Sequence, residues 1–61
     1  MDIKNLKAEI AQMERMIAEN VRLIAKGDDV EGRTYLKGYI EIEVLNKKME
    51  LEKLEKESVN E

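Results

Sequence analysis

Ile3, Leu6, Ile10, Met13, Ile17, Asn20 and Ile24 follow one another at alternating steps of three and four. No other feature narrows the fold of this chain as much. On a helix that alternation keeps one stripe turned toward a single neighbour, whereas on a strand the same residues would scatter over both faces. Proline is absent from all 61 residues, so nothing breaks the helix before Gly27. Asp2 is suited to cap its start and Gly27 to stop it. The spacing predicts a helix over about residues 2–26, roughly 37 Å long at 1.5 Å per residue.

The connector "GDDVEGR" follows. Asp28 with Glu31 three residues on has the spacing of a capping box, with Asp in the cap role. We expect a turn at about 27–29, a second helix over about 30–58, and a frayed acidic tail. Gly32 leaves the start of that helix open. So short a link between two long helices implies an antiparallel hairpin. The second helix carries two apolar stripes: Leu36, Ile40, Val44, Leu51 and Leu54 on one side, and Tyr35, Tyr39, Ile42, Leu45 and Met49 on another. One antiparallel neighbour covers the first stripe, not both. The expected fold is therefore all-α, an antiparallel two-helix hairpin that assembles as a homodimeric four-helix bundle. Asn20 in the first seam and Asn46 in the tyrosine stripe stand where leucine is expected, and read as polar residues that fix register at the interface.

A domain of this size buries a small fraction of its surface and commonly needs a staple. The chain has neither cysteine nor histidine, which excludes disulfides and the usual zinc sites. Oligomerisation is the staple that remains. The same two absences, with one serine and one threonine, leave no activated nucleophile beside a base. We expect no enzyme, no cofactor and no metal site. "DDVEG" lacks the spacing of a calcium loop, and "GRTYLKGY" that of a P-loop. A net charge of −3 argues against general nucleic-acid binding. No run is apolar enough for a membrane span or a signal peptide, so the expected location is the cytoplasm.

The chemistry that does stand out surrounds the turn. Arg22, Lys26, Arg33 and Lys37 cluster there, with acidic residues confined to Asp28, Asp29 and Glu31. Tyr35, Gly38, Tyr39 and Ile42 share one helix face. A glycine inside a helix costs about 1 kcal/mol against alanine, which suggests that something approaches closely at Gly38. The first reading takes the tyrosines as interface. The protein is then a non-catalytic, oligomeric module that inhibits or scaffolds a partner protein through its turn-proximal face. The second takes Tyr35 and Tyr39 as a sandwich for a planar group, with Arg33, Lys37 and Arg22 holding its phosphate or carboxylate oxygens. The protein then sequesters a small anionic, nucleotide-like ligand in a pocket of the oligomer. RNA binding by the basic turn end is a third class, marked by strong salt dependence. In size and two-helix plan the chain is similar to the plasmid copy-number hairpins that dimerise into four-helix bundles. No residue motif carries that likeness, so it implies no function.

Overall fold

The computed structural model describes residues 2–59, with side chains through residue 57. Two helices, α1 (Ile3–Ala25) and α2 (Val30–Val59), pack against each other as a hairpin. The rod measures 50 × 15 × 14 Å, the cross-section of a single helix pair. No helix among the described residues is long and apolar enough to cross a membrane. The expected helix bounds agree with the observed ones to within a residue at each described end. The tail remains helical to Val59, and the fraying expected at its tip falls on residues 60–61, outside those described.

Local chemistry places the ends. The Asp2 carboxylate accepts from the Lys4 backbone N–H at 3.3 Å and caps α1. At the other end Gly27 is left-handed, with φ 81°. The Gly27 N–H donates to the Ile24 carbonyl at 2.9 Å, and the Asp28 N–H to the Leu23 carbonyl at 3.1 Å. Together these form a Schellman motif, which supplies donors to carbonyls that the helix end would leave bare. The start of α2 corrects the sequence expectation. Asp29, not Asp28, precedes the helix, with φ 44° and its carbonyl accepting from the Arg33 N–H at 2.9 Å. Asp tolerates that left-handed conformation better than most residues. Glu31 is consequently the second residue of α2, too early for the reciprocal half of a capping box. Gly32 does not delay the helix. A methyl group at that position would meet only the carboxylate end of the Asp29 side chain, which can turn aside.

Leu6 and Ile10 of α1 meet Ile40 and Val44 of α2 in a buried core. Met13, Ile17, Leu51 and Leu54 pack around it, half-buried. Three ion pairs bridge the helices: Lys7–Glu55 at 3.4 Å, Glu9–Lys47 at 2.9 Å and Glu14–Lys48 at 2.9 Å. Each is partly exposed and adds little energy, but together they disfavour a slipped register. Leu36 departs from its expected place in this seam and is 46% exposed. At that height the space between the helices is taken by Asn20 and Arg33, whose hydrogen bond crosses from α1 to α2. A leucine cannot enter a gap already filled by a bonded guanidinium.

Candidate interaction surface

The outward side of α2 carries an extended apolar stripe that the hairpin leaves uncovered. Tyr35 is 78% exposed, and Tyr39, Ile42, Leu45 and Met49 are each at least 60% exposed. They stand out because the chain leaves them largely in solvent, with Leu45 alone bordering a groove shared with Ile17 and Ala18 of α1. Ile40 points at α1 and Ile42 lies two residues on, so the two sit about 160° apart around the helix axis. The tyrosine stripe therefore lies on the side of α2 directly away from α1. Asn46 lies on the stripe and is exposed. The positions 35, 39, 42, 46 and 49 repeat at steps of four and three, the same alternation that seats α1 on α2. Sequence reasoning found the stripe but named only its turn-proximal half, Tyr35, Gly38 and Tyr39, as a site. Ile42, Leu45 and Met49 extend it by two turns, and the heptad spacing is the signal that joins them.

Gly38 faces the same side, and nothing lies within 4 Å of where its side chain would be. The close approach expected at Gly38 is absent within the hairpin. A helix tolerates a bare backbone here, but no contact of the single chain demands one.

The four cations of the turn region do not converge on the tyrosines. Arg33 and Lys37 sit on the α1 side of α2, about 160° around the axis from Tyr35 and from Tyr39 respectively. The Arg33 guanidinium donates from Nη1 to Asn20 Oδ1 at 3.3 Å and from Nη2 to Asp28 Oδ2 at 3.2 Å. Its Nε is buried without a hydrogen-bond partner among the described residues. Lys37 pairs with Glu41 at 3.3 Å. Arg22 pairs with Glu19, one turn earlier on α1, with Nε to Oε2 at 3.2 Å. Those bonds hold the Glu19 carboxyl below its ordinary range and raise the Arg22 guanidinium. Lys26 ends α1 as its C-cap and has no ion pair among the described residues. Most of the positive charge near the turn is thus matched locally, by carboxylates within a turn or so.

Asn20 is buried, and both ends of its amide are used. Nδ2 donates to the Met16 carbonyl at 3.0 Å, and Oδ1 accepts from Arg33. Within the hairpin it joins α1 to α2. Two open grooves flank the helix pair. One runs between Ile17, Ala18, Val44 and Leu45, the other between Met16, Asn20, Arg33 and Leu36. Both are shallow, as a two-helix rod dictates. No cluster of three or more potential metal ligands occurs among the described residues. No family model matches this chain, and no curated protein or solved structure does either.

Proposed function

We propose that this protein is a non-catalytic association module and that the outward face of α2 is its working surface. One observation carries the reading: a continuous heptad face of two tyrosines and three large apolar side chains stands in solvent, on the side of α2 turned away from the hairpin's own core. Monomeric proteins seldom expose a contiguous apolar patch without a use for it. Aromatic residues and methionine are also enriched where proteins meet. The module inhibits or scaffolds by engaging a helical surface whose repeat matches its own. A ligand-sequestering role draws less support from the geometry. Arg33 and Lys37 are committed to Asn20, Asp28 and Glu41 on the far side of α2, and both grooves are open.

A photo-crosslinking amino acid in place of Leu45, in the cell that makes the protein, tests the reading. We expect a light-dependent adduct with a protein chain, either this one or another, that disappears when Ile42→Glu is added. Irradiation that yields only the free chain overturns the proposal.

A further inference from the structure

If α2 is an association surface, the chemistry of its outward face also narrows the occupant. Resting on that reading, we infer that the face is covered by α2 of a second copy lying antiparallel to it. Tyr39 of each chain then lies opposite Met49 of the other, Ile42 opposite Asn46, and Tyr35 opposite Lys53.

The first argument is the repeat. A face spaced at four and three accepts a helix of the same spacing, and this chain supplies one in every copy. Two-fold pairs of identical surfaces are the commonest way for such a patch to close on itself. The stripe lies opposite α1, so a second hairpin docks without disturbing the core. The two α2 helices become the inner pair and the two α1 helices the outer ones. The result is a four-helix row rather than a square bundle.

Charge chooses the direction. Beyond Met49 the heptad continues into Lys53 and Lys56, which occupy the same face. In a parallel pair each lysine would meet its own copy. Glu31 stands at one end of that face and the two lysines at the other. Antiparallel pairing sets these opposite charges together, and parallel pairing sets like against like. It also places the Lys53 ammonium over the Tyr35 ring of the other copy, a cation–π contact, and brings Lys56 beside Glu31. Lys53 is free to do this, for it makes no ion pair among the described residues, whereas Lys56 already pairs with Glu52 at 3.2 Å and would share its charge between the two carboxylates. A parallel pair would gain one amide pairing, Asn46 with Asn46, but would keep both lysine–lysine layers. In the antiparallel pair Asn46 lies toward the side of the seam that carries Glu43 and Glu50, its neighbours three residues before and four after on α2. Those two glutamates flank Lys47, which offsets their charge along that edge.

Two measurements test this. Light scattering should give a dimer, twice the 7.1 kDa of the chain. The chain has no cysteine, so a single spin label at Thr34→Cys, beside the stripe, reads the direction without interference. Thr34 of one copy lies 20 residues from the level of Thr34 in the other when the pair is antiparallel, a separation of about 30 Å. A parallel pair brings the labels within about 20 Å. Replacing Lys53 and Lys56 together by alanine should weaken the antiparallel dimer about threefold or more. The same change would tighten a parallel dimer. A short label distance, or tighter association of the double alanine variant, overturns the proposal while leaving α2 as an association surface. A 7.1 kDa species at high micromolar concentration also overturns it. The crosslink at position 45 then decides by itself whether a different protein covers the face. Ile42→Glu should abolish the dimer, and if that variant unfolds, the label distance in the otherwise unaltered chain still decides.

Discussion

Asn20 sits where leucine would fill the seam, and a polar side chain there is stable only if its hydrogen bonds are met. The Met16 carbonyl and the Arg33 guanidinium meet them. Arg33 also reaches Asp28, so three consecutive parts of the hairpin meet at one guanidinium. Removing one partner strands the other. Arg33→Ala should destabilise the hairpin by about 1 kcal/mol, at the low end for a broken buried bond because the side chain remains 30% exposed. Replacing both residues, Asn20→Leu with Arg33→Leu, should recover that loss or exceed it, since no polar group is then left unpaired. Urea unfolding monitored by helicity checks both. A double variant less stable than Arg33→Ala alone would remove this account of Asn20. Sequence reading recognised Asn20 as a polar residue in the seam and Arg33 as a notable cation. It could not join them, because they are thirteen residues apart and the turn between them decides whether they meet.

At the scale of the element, α2 is a helix with two jobs. Its inner side supplies Ile40 and Val44 to the core, and its outer side carries the tyrosine stripe. Both stripes were legible, because 100° per residue sorts residues onto faces with no tertiary information. The same rule applied to Arg33 and Lys37 puts them on the inner side. Their proximity in sequence to Tyr35 and Tyr39 suggests a shared site that the helix geometry of one chain does not provide. Gly38 tests what the outer face meets. Nothing within the hairpin lies near it, so Gly38→Ala should stabilise the isolated hairpin by up to about 1 kcal/mol through helix propensity. In a chain this size that is a rise in melting temperature of about 4–8 °C. Measured in the Ile42→Glu background, a fall in melting temperature would mean that the hairpin itself contacts the backbone at 38, whereas a fall confined to the otherwise unaltered chain would mean that a second chain does.

The whole molecule is a thin rod with a core of four buried side chains, and its halves are kept in register by ion pairs on its flanks. Lys47 shows how that arrangement responds to pH. Its bond to Glu9 raises the Lys47 ammonium above the ordinary value of 10.5, with Glu43 and Glu50 adding to the effect. A group whose pKa rises on folding contributes stability that is fully present below its unfolded value and is lost as pH passes its folded one. Stability linked to Lys47 should therefore hold through neutral and mildly alkaline solution and decline above about pH 10.5. The Lys47→Met variant should show a shallower decline in melting temperature over that window. Equal slopes would mean that the bridge carries none of the pH dependence. The sequence by itself determined two helices, the cap and stop of the first and the left-handed glycine between them, because helix periodicity and capping act within a few residues. It also determined that α2 has an apolar face its own hairpin cannot cover. Only the tertiary structure decided that Asp29 rather than Asp28 opens α2, that Arg33 turns inward onto Asn20, and that Leu36 is left half in solvent. Those outcomes depend on how two helices rotate and close against each other. That closure is set by the turn geometry and by contacts between residues far apart in the chain, which no local pattern encodes.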